Sequence, residues 1–553
     1  MKNLTLLTLL TLVSTFLFGQ GWVPDTITFG DSYYIIEPDG TLLLFGSKNS
    51  TYVYTESLHL GGIDAGGNLH VSAQTYKQDR VNFFAGPISG DPTSMLHYGR
   101  TWTVTQNMID SLRQGLYTVV PEAIANWPAH GRQQYGEPFY LAPFVDMDNN
   151  GYYNTGGGDY PFIKGDITTL TLFNDQSVID SSNGDVVGAD GYFMFYMYDE
   201  PGISGRTLYR SVVVTNRSNH TYSEAYLSIF NDADAGGPQD DLTGTDIERH
   251  AIYSYNADDH DLMTAPKVPY CGTVLLEGPT ADAGDGVDNN WDGCIDGFDQ
   301  SGNCIPENAS AGLLERLTMT NSMYYNNTGD PVSGNSSIRN TDIYNYMRSL
   351  WRTGDSLRAE TPSGLFNVNN GDGYEPTPSS QAVRYAYPGN SHSPSSIWAP
   401  DQPINWFESP SNHEDKRVLA SMGPFTWEAG ETINITSATF WGNVDSIQHI
   451  NIIDSLTSDI DSILYSLVSK PLSGAEFERE PVEMELRQAS GHLTVLNPSD
   501  FAYELQVLNV SGQILMRSNI SAHSEAFLNC AHLPIGVYLI RTSDGEWTEK
   551  WIR

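Results

Sequence analysis

The sequence predicts a mainly β protein: a β-sandwich-like body with a few short helices, followed by a small C-terminal antiparallel β-sandwich. Short runs of β-branched, aromatic and aliphatic residues recur between Gly, Pro, Asn and Asp turn signals. Turn formers and tyrosine are abundant, with 51 Gly, 29 Pro and 31 Tyr, a composition that favours a loop-rich all-β architecture. Helical periodicity is confined to a few stretches.

In chain order, Lys2 precedes a Leu/Thr-rich, uncharged run from Leu4 to Phe18, followed by Gly19, Gln20 and Gly21. This is the pattern of a signal peptide, too short to span a bilayer. The expected cut is between Gly19 and Gln20, so residues 1–19 are read as the signal and 20–475 as the body. No later segment approaches the length of a transmembrane helix. Strands are expected at Tyr33–Ile36, Thr41–Phe45 and Leu69–Ser72, separated by Asp39-Gly40, Gly61-Gly62 and Gly66-Gly67. Thr103–Leu116 carries Met108, Ile109 and Leu112 at helical spacing. The clearest strands are Tyr192–Tyr198, Thr207–Thr215 and Glu224–Phe230. Two more helices are expected: Thr341–Trp351, capped by Thr341, and Ile452–Leu467, with an apolar stripe at 453, 456, 460, 463, 464 and 467. Residues 476–486, acidic and holding Pro481, read as a linker to a terminal domain at 487–553.

The formal net charge is −39, and the segment from Arg487 onward contains five basic and six acidic residues, so nearly all the excess lies before it. Such a surface repels nucleic acid and anionic lipid, which excludes both as partners. Repulsion among the carboxylates must be offset, and bound divalent cations are one effective means. The cysteines are Cys271, Cys294, Cys304 and Cys530. An exported chain permits disulfides; Cys294–Cys304 closes a short loop and is the preferred bridge, with Cys271–Cys294 the alternative.

Three acidic segments suit Ca²⁺ in a structural role. From Asp288, oxygen-bearing side chains stand at loop positions 1, 3 and 5 (Asp288, Asn290, Asp292), followed by Gly293. Cys294 offers a carbonyl at position 7, with Asp296 at 9 and Asp299 at 12. Alternate residues point inward, hard oxygens surround a hard cation, and Gly permits the tight turn. Asp146, Asp148, Asn150, Gly151, Tyr152 and Asn154 repeat the spacing without an acid at position 12, though Asp159 and Asp166 follow closely. Asp232 and Asp234 begin a third group, with Asp240, Asp241 and Asp246, directly after a predicted strand. The first two are expected to leave it on the same face.

The last segment reads HLTVLNPSDFAYELQVLNVSGQILMRS and then LNCAHLPIGVYLIRTSDGEWTEKWIR, with strands at Tyr503–Leu508 and Val537–Arg541. The Asn509–Gly512 turn, the Leu533–Arg541 run (L-P-x-G-V-Y-x-x-R) and the basic end at Lys550 and Arg553 resemble the type A C-terminal sorting domain of the type IX secretion system. That resemblance implies an export address, usually cleaved after passage through the outer membrane. It makes the type IX machinery a partner through residues 487–553 and implies a secreted or outer-membrane cell-surface location in a Gram-negative bacterium. Asp285–Asp296 is similar to a D-G-x-D-N-N-C-D-G-x-x-D metal-binding repeat of secreted bacterial proteins. Trp291 replaces its Cys here, which shifts the thiol to 294. The acidic loops, with GGIDAGGNLHVSAQTY near Gly61 and HEDKRVLASMGPFTWEAGE near His413, resemble a body recurrent in proteins with this sorting domain, which implies architecture and export but no reaction.

No H-E-x-x-H, G-x-S-x-G, phosphate-cradling loop or C-x-x-C is present. His250 and His260 read as ordinary surface or packing histidines. Trp102, Trp127, Trp351, Trp398, Trp406 and Trp441 read as core more readily than as a sugar-stacking platform. The expectation is an exported, non-catalytic, calcium-stabilised protein of adhesion, matrix or surface structure, with glycans or surface proteins as possible ligands. The alternative is a secreted polysaccharide-binding protein or hydrolase.

Overall fold

The computed structural model describes residues 24–469 and 485–552, apart from 76–81, 177–184, 257–260, 262–263, 265–266, 283–315, 336–337, 361–366, 370–379, 389–405, 409–414, 446–448 and short loops between the C-terminal strands. The chain divides into two compact units, the body and a C-terminal unit containing residues 475–553.

The body is built on two large antiparallel sheets. The first joins β1 (Asp25–Phe29), β2 (Ser32–Ile36), β3 (Leu42–Ser47), β4 (Ser50–Ile63), β13 (Tyr222–Ala233), β22 (Lys416–Trp427) and β17 (Asn321–Asn326) in that order, with β5 (Leu69–Ala73) also paired to β4. The second runs β14 (Asp241–Asp246), β15 (Ala251–Asn256), β16 (Val268–Glu277), β23 (Thr432–Val444), β12 (Thr207–Asn216), β11 (Ala189–Met197), β10 (Ile167–Asn174) and β6 (Phe84–Ala85), with β7 (Trp102–Thr105) also on β10. Small two-stranded sheets pair β8 (Phe144–Val145) with β9 (Tyr160–Pro161), β18 (Arg358–Glu360) with β20 (Ser380–Ala382), and β19 (Asn367–Asn369) with β21 (Trp406–Glu408). The expected β-rich architecture is therefore present, and the predicted body strands fall inside β2, β3, β5, β11, β12 and β13 within a residue or two.

A buried polar knot joins the two large sheets. Arg210 of β12 reaches Glu56 of β4 at 2.9 Å, both side chains 2% exposed or less. Glu56 also accepts from Asn231 of β13 (2.8 Å), Thr273 of β16 (2.6 Å) and Thr439 of β23 (2.9 Å). Burial pulls the Arg210 guanidinium down while Glu56 opposes the shift. A buried charge is tolerated only when paired and hydrogen-bonded, and this one is. Tyr209, next to Arg210 on the strand, faces the opposite side and packs with Tyr196, Tyr270, Phe440, Ile452, Ile453, Leu456, Ile460 and Ile463. Those isoleucines and Leu456 belong to the helix His449–Ser469, so its predicted apolar stripe covers the outer face of the second sheet.

Two helix expectations need correction. Thr103–Leu116 is not one helix: Trp102–Thr105 is a strand, because its β-branched and aromatic residues pair with β10, and the helix is Gln106–Arg113, capped where Thr105 Oγ1 accepts from Met108 N–H at 3.2 Å. The next helix is Asn340–Met347, and Thr341 lies inside it; Asp342 takes the capping role by accepting the Arg339 N–H at 2.9 Å. Cys271 is a buried free thiol whose Sγ donates to the Tyr52 carbonyl at 3.1 Å, so it does not bridge to Cys294. Cys294 and Cys304 lie outside the described residues, as does Cys530.

In the C-terminal unit, β24 (Glu485–Ala489), β25 (His492–Asn497) and β28 (Ser524–Asn529) form one sheet. The other is β27 (Ile514–Ile520), β26 (Tyr503–Asn509), β29 (Val537–Thr542) and β30 (Thr548–Ile552). Leu493, Val495 and Leu528 of the first pack with Leu505, Val507 and Ile540 of the second, the sandwich core expected from alternating apolar positions. Its first strand begins at Glu485, within the expected linker.

Truncating Glu56 strands the Arg210 charge in the body core. Glu56→Ala is expected to cost about 3–5 kcal/mol in urea unfolding, whereas replacing both partners by apolar residues of similar volume costs much less than the sum of the single changes. Equal and additive losses would show that the pair is not coupled.

Candidate metal centres

β8 and β9 bracket the first acidic loop and pin its ends. Asp146, Asp148 and Asp159 each bring a carboxylate oxygen within 4.8 Å of the others. The loop turns on Asn149 (φ 54°) and Gly151 (φ 78°), a left-handed pair that Gly at the sixth position accommodates without strain. Backbone amides fix the acids: Gly151 N–H donates to Asp146 Oδ2 (2.7 Å), Asn150 N–H to Asp148 Oδ1 (3.2 Å) and Met147 N–H to Asp159 Oδ1 (2.8 Å). Asp159 is fully buried and meets the loop in space, although position 12 itself is Gly157. Asn154 Oδ1 accepts from Gly156 N–H (3.0 Å) and caps a short 3₁₀ turn. Asn150 Oδ1 is engaged by Tyr152 N–H at 2.7 Å.

Exposed aromatics flank this loop. Tyr140 and Tyr152 are 62% and 61% exposed. Phe139 packs edge-on against both rings, at 4.7 and 5.3 Å between centroids. A Cβ on Gly151 would lie 3.4 Å from the Tyr140 hydroxyl, so that ring reaches over the acidic loop.

The second centre lies at the end of β13. Asp232 and Asp234 do come together, joined by Asp415 just before β22, with ligand oxygens within 4.8 Å. Asp232 sits opposite Arg417 in the β13–β22 register and pairs with it at 3.3 Å; Arg417 also holds Asp415. One guanidinium thus faces three carboxylates. Burial, reinforced by Asp232 and Asp415, raises Asp234 to about 8. Asp241 is also pushed well above the usual carboxylate range, first by burial and then by Asp234. Its Oδ2 accepts from Ala235 N–H at 3.0 Å, while its buried Oδ1 has no protein partner. Asp240 instead bonds Asn256 (2.9 Å) and Asp246 pairs with Arg249 (3.2 Å).

Asp288, Asn290, Asp292, Cys294, Asp296 and Asp299 lie outside the described residues. Of the tryptophans, Trp102, Trp127, Trp351 and Trp441 are buried; Trp398 and the Trp406 side chain are not described. Asp415 escaped the sequence reading because it comes from a strand far along the chain, and no local spacing marks it.

The architecture defines an acidic antiparallel β body with a separate terminal sandwich. Residues 489–552 match the family described as the secretion system C-terminal sorting domain. The chain therefore carries a type IX sorting domain and is exported, to be secreted or held at the cell surface. No curated protein matches the chain. Among solved structures, a polysaccharide lyase is similar at 7% identity over 75% of this chain and 36% of its own, with a TM-score of 0.20. A score that low defines no shared fold, and the chain spans only about a third of that enzyme.

Between its ordinary value of 3.8 and about 8, Asp234 is protonated in the folded protein and ionised in the unfolded chain. The folded state then binds more protons, so stability falls as pH rises through that window. In chelator, Asp234→Asn is expected to flatten the loss across the upper part of the window in urea unfolding; an unchanged slope would show that Asp234 is already ionised.

Proposed function

We propose that the protein is a non-catalytic constituent of the cell surface or extracellular matrix of a Gram-negative bacterium, with a signal peptide at residues 1–19, and that calcium stabilises its acidic body. The observation that carries this reading is the pair of strand-anchored carboxylate clusters, Asp146/Asp148/Asp159 and Asp232/Asp234/Asp415. Clustered hard oxygens suit Ca²⁺, and carbonyls and water commonly complete its shell. At the first cluster the Tyr152 carbonyl stands where the loop pattern supplies one. At the second, an ion would relieve the burial cost that otherwise keeps Asp234 protonated, and the unpartnered oxygen of Asp241 fits a demand for further positive charge. Asp288–Asp299 is a third proposed site on its spacing alone.

Bound calcium ties loops to strands. At a free concentration a hundredfold above Kd, each site adds about 2.7 kcal/mol. The mature chain is expected to melt several degrees higher in millimolar calcium than in chelator, and Asp148→Ala and Asp234→Ala each to remove part of that rise. Equal melting in the two buffers would overturn the reading.

A polysaccharide-binding role has one specific support, the exposed Tyr140 and Tyr152 beside the Asp146 loop. Flat aromatic faces stack on sugar rings. Retention on a polysaccharide that is lost in Tyr140→Ala and Tyr152→Ala would establish it; retention unaffected by both changes would exclude this patch, and release of reducing sugar would point to a hydrolase instead.

A further inference from the structure

We propose that Asp64, His70 and His220 bind a divalent transition metal of the zinc class, at a site chemically distinct from the carboxylate clusters. Asp64 stands in the hairpin turn after β4, His70 in β5, and His220 in the turn between β12 and β13. Sheet pairing brings them together, with one ligand atom of each within 4.8 Å of the other two. His70 Nε2 is 3.2 Å and His220 Nδ1 3.7 Å from Asp64 Oδ2. A tetrahedral ion with bonds of about 2.0–2.2 Å sets neighbouring ligand atoms about 3.4 Å apart, a value these separations bracket.

The hydrogen bonding of His70 is an independent pointer. Its Nδ1 lies 3.0 Å from the Val186 carbonyl oxygen. A carbonyl only accepts, so Nδ1 carries the proton, and in the neutral ring Nε2 presents a bare lone pair to the Asp64 carboxylate. Two acceptors at 3.2 Å need a proton or a metal ion between them. A backbone carbonyl fixing the far nitrogen is the usual second-shell arrangement of a metal-bound histidine.

The carboxylate is equally prepared. Asp64 Oδ1 accepts from Gly66 N–H and Asn68 N–H, both at 2.8 Å, and Asn68 Nδ2 donates to Oδ2 at 3.0 Å. Three N–H groups thus hold the Asp64 carboxylate in place, with Oδ2 facing both histidines. The His220 turn is braced by Asn216, whose Nδ2 donates to the His220 carbonyl at 2.9 Å and whose Oδ1 accepts from Ser218 Oγ at 2.7 Å.

Asp64 and His70 are buried, whereas the His220 side chain is 42% exposed, so a fourth position is open to water on that side. Two imidazoles and one carboxylate favour zinc, nickel or copper over calcium.

The test uses the full mature chain with Co²⁺ as the spectroscopic probe, in excess calcium so that a hard-cation site cannot compete for the cobalt. One equivalent of cobalt is expected to give the visible band of a tetrahedral site, and Zn²⁺ to abolish it. His220→Ala, at an exposed position, and the near-isosteric Asp64→Asn are expected to lose the band while keeping the wild-type far-ultraviolet circular dichroism. Asn68→Ala, which removes a positioning contact, is expected to weaken Zn²⁺ binding about 10–100-fold. No band in the wild-type protein, or the same band in His220→Ala and Asp64→Asn, would overturn the proposal in favour of a plain imidazolium–carboxylate pair.

Discussion

The Glu56–Arg210 pair is the constraint on which the body depends. Among the described residues it is the ion pair that joins the two large sheets, and the donors to Glu56 come from β12, β13, β16 and β23. Apolar packing alone leaves the mutual register of two sheets loosely specified. A paired charge that must be desolvated accepts few alternatives, because a shift by one residue would bury one partner alone. With register fixed there, the neighbouring residues are fixed too: Tyr209 toward the long helix, Asn231 toward Glu56, and Asp232 one residue on toward Arg417.

That last step links fold to chemistry. Both carboxylate clusters are rooted in strands or strand ends, so their geometry is inherited from sheet register rather than from flexible loops. In the second cluster the pairing of β13 with β22 sets Asp232 opposite Arg417 and draws in Asp415. Burial, and then the neighbouring carboxylates, raise Asp234 and Asp241 there. In the first cluster, pairing of β8 with β9 returns the chain so that Asp159 meets the Asp146 loop.

How much of this is legible in the sequence depends on range. Strands such as β2, β5 and β12 were readable because alternation and turn residues are local signals, and the terminal sandwich because its turns are spaced regularly. Thr103–Thr105 reads as helix because Met108 and Ile109 downstream supply a helical period that extends backward over β-branched residues; pairing with β10 overrides it. The Asp146 loop is visible as an i, i+2, i+4 pattern, whereas the use of Asn154 Oδ1 as a cap has no such signal. Asp415, Arg210, and the meeting of Asp64 and His70 with His220 leave no local trace, since each partner arrives from a distant strand.

The same logic separates the two kinds of proposed ion site. Clusters of carboxylates in a chain of net charge −39 are costly to fold without a counter-ion, and their preference for hard cations follows from oxygen ligands alone. The body would then be least stable where divalent cations are scarce and gain stability where they are plentiful, as outside the cell, the destination its sorting domain specifies. The Asp64–His70–His220 group answers to a different chemistry. There one proton balances the lone carboxylate and a divalent ion leaves a single positive charge, the ligands are held by second-shell bonds, and selectivity comes from imidazole rather than from charge density. Calcium would therefore act as mortar throughout the acidic loops, whereas a transition metal at the β5 edge would be a single, specific site whose loss leaves the sheets intact.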